Sequence, residues 1–289
     1  TTLFPTKDSR LEAAQVMLHI AINVGAATGS FLAGIMVRSV GWSVSYAFAA
    51  LMVGIGMALS TAHPSQSVAS HVPLKIATPS GSNTQPPGKL STIVAVLTAM
   101  FLLAITTAQA EGALLLWSEH SVRRVILGFE LPTAWFVAYA AVLVLVLSPM
   151  QLVFLSKRKR PGTTNRLVAV GLVSAALCFA ILLPTTLNDG SVSILWPITT
   201  YTLFVLAEML IAPLGLALLH RNAPQRLMGL VTGLWYGAGA LGYFVGGQIG
   251  ALWSKWPTQR VLILLSVLPL IGAALVWVVR PGGVQESET

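Results

Sequence analysis

Eight continuous apolar runs, at residues 11–37, 43–61, 91–117, 132–155, 167–187, 193–219, 228–253 and 259–279, take up well over half of this 289-residue chain. A helix needs about 20 residues to cross the roughly 30 Å hydrocarbon core of a bilayer, and each run has about that length or more. Inside hydrocarbon every backbone N–H and C=O must be bonded within the protein, which leaves helices and closed barrels as the only spanning structures. A barrel would show segments of about ten residues with alternating polarity, and these runs do not alternate. Only 9% of the residues are charged, against about 25% in soluble domains. The sequence therefore predicts an all-α, multi-pass integral membrane protein with eight spanning helices, whose first partner is the lipid bilayer.

Orientation follows from the loops, because cytoplasmic loops collect Lys and Arg. With the N-terminal end in the cytoplasm, 12 of the 17 basic residues fall on that side, including the cluster Lys157, Arg158, Lys159, Arg160, and 5 fall on the other. Both termini are expected in the cytoplasm of a plasma or inner membrane. The net charge of +8 is accounted for by this topology, so no nucleic-acid partner is called for. The start, Thr1 to Asp8, has neither an initiator Met nor a signal-peptide layout, and the chain is expected to be cut at its front.

Residues 62–90, rich in Pro, Ser, Gly and Thr, read as a flexible cytoplasmic linker. They separate the two helices of residues 1–61 from the six of residues 91–280, with a cytoplasmic tail at 281–289. His63 and His71 in the linker lack acidic or Cys neighbours, and Cys178 lies alone inside an apolar run; no metal site is expected. There is no H-E-x-x-H, no G-x-S-x-G and no pair of acids at catalytic spacing on one helix, so no enzymatic activity is expected. Gly237, Gly239 and Gly242 match a dinucleotide-binding pattern, but inside a spanning run and with the next acid at Glu286 the match is spurious. The glycines at 229, 233, 237 and at 242, 246, 250 instead have the four-residue spacing that lets helices approach closely in a membrane. Gly233 and Gly246 are both expected at close helix contacts.

An ionisable side chain at the bilayer centre costs about 2.5 to 3.5 kcal/mol on insertion scales. Two acids incur that cost, Glu111 and Glu208, the latter in "LFVLAEMLIAPLGLALL" with no Lys, Arg or Asp nearby. Each either orients the bundle through a bond to a neighbouring helix or serves as a proton site or substrate ligand. Gln15, His19 and Asn23, four residues apart, form one polar stripe on the first helix. His19 there is either a proton carrier or a packing residue.

Three stretches carry a specific resemblance: "AINVGA" (21–26), "GFELPTAWF" (128–136) and "AEMLIAPLGLALLHRNAPQRLMGLVTGLW" (207–235). Together, over residues 8–255, they resemble the proton-coupled oligopeptide transporter family of the major facilitator superfamily. That resemblance implies a fold of two six-helix bundles and the movement of di- and tripeptides with protons, driven by a proton gradient and needing no cofactor. The eight runs then look like the family's helices five to twelve: 1–61 the last two helices of the N-terminal bundle, 91–280 the C-terminal bundle. The first four helices, with the E-x-x-E-R motif and a functional lysine, are not represented, so the chain is expected to be an incomplete, divergent member.

The resemblance also assigns residues. Glu208 falls on the glutamate expected to help bind the amino end of a peptide, and Asn23 and Trp235 fall in the substrate-binding motifs. His19 occupies the position of a tyrosine. The family's seventh-helix glutamate falls on Ala108, beside Gln109; Glu111, three residues on and almost one turn away on nearly the same face, is expected to take over proton coupling, with His19. Val137, Ala140 and Tyr243 replace a Gln, an Asn and an Asn. These departures leave two rivals: a non-transporting membrane relative with an interaction or regulatory role, and a transporter of a non-peptide solute.

Overall fold

The computed structural model describes residues 9–62, 90–156, 164–187, 190–223 and 227–279. The expected linker, from 63 to 89, the basic cluster at 157–160 and the tail at 281–289 lie outside them. The chain divides into two units, Thr1–Thr84 and Gln85–Thr289.

In the first unit, α1 runs Ser9–Ala62 with a non-helical residue at Gly41 (φ 81°, ψ 175°). Its apolar part, Ala21–Leu59, has 39 residues; a straight helix of that length would reach about 58 Å, twice the hydrocarbon core. Gly41 resolves the excess. A positive φ is accessible to glycine without the Cβ clash that other residues suffer, so the chain breaks there into two helices, where the sequence shows the gap between runs 11–37 and 43–61. Among the described residues seven helical segments are long and apolar enough to span a membrane, and the break in α1 makes them eight.

The second unit contains α2 (Leu90–Glu111), α3 (Ala113–Ser121), α4 (Ala134–Ser156), α5 (Thr164–Ala180), α6 (Leu195–Asn222), α7 (Met228–Gly250) and α8 (Thr258–Val278). α2 and α3 together form one span, Leu90–Ser121, which gives six spans in the bundle. α2 is central and packs on α6, α7 and α8, while α5 packs on α6 and α8. The contacts are made by small residues. A Cβ at Gly171 would lie 2.7 Å from Ile211, one at Gly272 2.2 Å from Leu102, and one at Gly242 2.4 Å from the Phe101 carbonyl oxygen. Backbones this close are the usual basis of helix association in lipid, where burying apolar surface gives no advantage. Outward positions such as Val146, Leu177, Leu206 and Leu270 are exposed, which fits a hydrocarbon surround.

Two findings depart from the sequence reading. Gly246 stands at a close contact, its Cβ position 2.6 Å from the Ala108 Cβ, but Gly233, like Gly229 and Gly237, has nothing within 4 Å. The expectation for Gly233 is thus corrected: the step of five residues from Gly237 to Gly242 turns the second stripe by about 140°, and only the second stripe faces α2. The other departure is a small hairpin. Strands β1 (Val125–Ile126) and β2 (Phe129–Glu130) pair antiparallel across a turn with positive φ at both Leu127 (50°) and Gly128 (81°), the geometry that matches strand twist in two-residue loops. Arg124 anchors it, its Nη1 donating to the Leu131 carbonyl at 2.6 Å and its Nη2 lying 2.8 Å from Glu130 Oε1.

Candidate functional site

Glu111 is the last residue of α2, and the span does not continue smoothly beyond it. Gly112 has φ −124° and ψ −94°, and its N–H turns back to the Gln109 carbonyl at 3.3 Å. The break leaves terminal carbonyls of α2 needing partners. One is found across the bundle: the Tyr201 hydroxyl of α6 donates to the Ala110 carbonyl at 2.5 Å. Gln109, just before it, is 1% exposed. Its Nε2 donates to the Gly246 carbonyl at 2.6 Å and its Oε1 accepts from the Trp253 indole N–H at 3.0 Å. The residues flanking Glu111 on its N-terminal side are therefore bonded to α6, to α7 and to the 3-10 turn Ala251–Ser254 that follows α7.

Glu208 comes into the same region through helix register. Gly215 of α6 meets the Trp235 ring of α7, its Cβ position 2.7 Å from the indole. From that contact Glu208 lies seven residues along α6 and Tyr243 eight residues along α7. At 1.5 Å per residue these are displacements of about 10.5 and 12 Å. α7 and α2 run in the same direction, Gly242 facing Ala104 and Gly246 facing Ala108, and α6 runs against both, so the two displacements lead toward the same end of the bundle. Tyr243 and Glu208 arrive at one level. There the Tyr243 hydroxyl lies beside the Glu111 carboxyl and Thr107. Glu111 is close enough to Glu208 for its charge to act on it. Glu111 is exposed and Glu208 half-buried, and among the described residues neither has a basic partner. Two acids and a phenol this near one another can hold a proton between them and present an acceptor to a cation.

Within the second unit, the other expected residues fall elsewhere. Trp235 is 4% exposed and packed over Gly215, two turns from Glu208. Asn23 lies on α1 in the first unit, as does His19, whose side chain is outside the description. Val137 is half-buried and Ala140 is 7% exposed in the core of the second unit. Ala108 faces Gly246, so the position where the resemblance implies a glutamate is taken up by a close helix contact. Tyr201 and Gln109 were not singled out by sequence reasoning. A lone amide within an apolar run, two residues before an acid, was the available signal for Gln109; Tyr201 had none.

The family model described as the POT family matches residues 88–267. Peptide transporter YePEPT of Yersinia enterocolitica is 32% identical over 173 residues, 53% of this chain and 33% of that protein. Dipeptide and tripeptide permease A of Escherichia coli is 26% identical over 188 residues, 60% of this chain and 38% of that protein. Among solved structures, a peptide transporter in complex with alafosfalin matches with a TM-score of 0.73 at 18% identity, over 94% of this chain and 68% of that one. A POT family transporter in complex with a thioalcohol-conjugated peptide matches at 0.71 and 15%, over 96% and 70%. The chain thus spans about a third of the length of the curated relatives. The family match begins after α1, later than the residues 8–255 suggested by the motifs.

Proposed function

The chain belongs to the POT family, and on that basis we propose that it is part of a proton-coupled symporter of di- and tripeptides or related small solutes. The observation that carries the proposal is the nearness of Glu111, Tyr243 and Glu208 within the second unit. In this reading Glu208, in the middle of a spanning helix, accepts the charged amino end of the solute. Glu111 carries the proton, with the Tyr243 hydroxyl beside it. Protonation of one acid relieves repulsion on the other, so occupancy of the two positions is linked: a proton on Glu111 lowers the cost of a charged Glu208, which then binds the cation. Trp235 shapes the wall through its packing on Gly215. Asn23 is assigned to the solute and His19 to the proton path by the resemblance alone, since both lie outside the family match. The driving force is the proton gradient, with no cofactor; the membrane is a plasma or inner membrane with both termini cytoplasmic.

A second reading, a solute other than a peptide, is favoured by Ala108, Val137 and Ala140, which leave the wall with fewer polar groups than the resemblance implies. Binding measurements separate the two. A charge-assisted hydrogen bond contributes about 1.5–3 kcal/mol, so Glu208→Gln is expected to weaken binding of a dipeptide with a free amino terminus by roughly 10- to 100-fold. The N-acetylated dipeptide should be affected little. Equal loss for both forms, or no binding of any peptide by the parent, would overturn the assignment.

A further inference from the structure

We propose that Gln109 and Tyr201 are positioning residues that hold the break between α2 and α3 and thereby set where the Glu111 carboxyl stands. The inference rests on the reading of Glu111 as the proton carrier and adds what fixes it in place. Glu111 sits between two constraints and a hinge. On one side the Gln109 amide is held at both ends, its nitrogen donating to the Gly246 carbonyl and its oxygen accepting from Trp253. Next, the Ala110 carbonyl is capped by Tyr201 from a third helix. On the other side Gly112 leaves the helical conformation. Both side chains are 1% exposed, so water does not compete for these bonds, and a carbonyl left without a partner in hydrocarbon is destabilising.

The glycine of α7 makes the first constraint possible. A Cβ at Gly246 would lie 2.6 Å from the Ala108 Cβ and 3.3 Å from the Ile105 carbonyl oxygen, so only a bare backbone lets the Gln109 amide reach the Gly246 carbonyl. The break therefore joins α2 to α6, α7 and the turn Ala251–Ser254 at one place, immediately beside the acid. A shift of α6 or α7 relative to α2 pulls on residues 109 and 110 and moves the carboxyl with respect to its titratable neighbours. Those neighbours are Tyr243 on α7 and Glu208 and Tyr201 on α6.

The test is a pH titration of the carboxylic C=O infrared band in nanodiscs, with the band assigned to Glu111 by its loss in Glu111→Gln. Tyr201→Phe keeps the ring and its stacking on Phe136, whose centroid is 5.9 Å away, and removes only the hydroxyl. It and Gln109→Leu are each expected to move the midpoint of the Glu111 band by about half a pH unit or more, and Tyr201→Phe, which leaves the Ala110 carbonyl without its cap, to lower the melting temperature as well. A purely structural role would alter melting and leave the midpoint where it is. Should Tyr201→Phe titrate as the parent does, the positioning role is refuted even if Gln109→Leu fails to fold. Should Glu111→Gln remove no titrating band, the proton-carrier reading itself falls, and this inference with it.

Discussion

Replacing Gly242 by leucine tests the packing that brings α7 against α2. A Cβ at this position would lie 2.4 Å from the Phe101 carbonyl oxygen and 2.6 Å from the Ala104 Cβ, against an ordinary contact of about 3.5–4.0 Å. The helices would have to separate by more than 1 Å for the Cβ alone, and further for the rest of the side chain. Overpacking of this kind costs about 1–3 kcal/mol. Separation also strains the Gln109 bond to Gly246, one turn away, and interhelical hydrogen bonds in membranes average about 0.6 kcal/mol. The expected loss is about 2–4 kcal/mol. Gly233→Leu is the paired control: nothing lies within 4 Å of Gly233, and glycine is about 1 kcal/mol poorer than alanine inside a helix, so this change should be neutral or slightly stabilising. Reversible unfolding in mixed micelles gives both free energies. If Gly242→Leu unfolds with the parent's free energy, or Gly233→Leu loses more than Gly242→Leu, the close α2–α7 approach is refuted.

Single cysteines at Ser80 and Ser287 are expected to resist an impermeant thiol reagent applied to intact cells, whereas one at Asn188 should react; the reverse pattern would invert the orientation read from Lys and Arg. The native Cys178 is buried and should stay silent in that assay. Gly41→Val forces a β-branched residue into a positive φ, at a cost of about 1–3 kcal/mol, and should lower the unfolding free energy by that amount; an unchanged value would mean that the break in α1 does not depend on glycine.

The spans were legible because length and continuity of apolar residues are set by the bilayer and need no tertiary context. The break at Gly41 was legible as well, as a gap between runs with a glycine in it. Gly112 was not, because a single glycine amid Ala and Leu is compatible with a continuous helix, and what forces the break is the bonding of Gln109 and Ala110 to other helices. The glycine stripes of α7 show the same limit: spacing by four says that a helix has a smooth face, but which of two faces meets a neighbour depends on the neighbour. The hairpin escaped because two-residue strands carry almost no periodicity, and Leu127-Gly128 lacks the Asn, Asp or Gly that usually precedes the glycine of such a turn. Of the candidate site, Glu111 and Glu208 stood out as charges within spans, and Tyr243 only as a departure from a family pattern. Tyr201 could be found only from the structure, since an aromatic in an apolar helix is ordinarily packing.

The central claim is that Glu111 moves protons while Glu208 holds the solute. It is tested most directly by comparing two fluxes in proteoliposomes, using protein expressed from its complete coding sequence and its Glu111→Gln variant. Exchange of labelled for unlabelled dipeptide requires no net proton movement, whereas uphill uptake driven by an imposed pH gradient does. The account predicts that Glu111→Gln keeps exchange and abolishes uphill uptake. Uphill uptake by the variant at the parent's rate across pH 5 to 8 would contradict it.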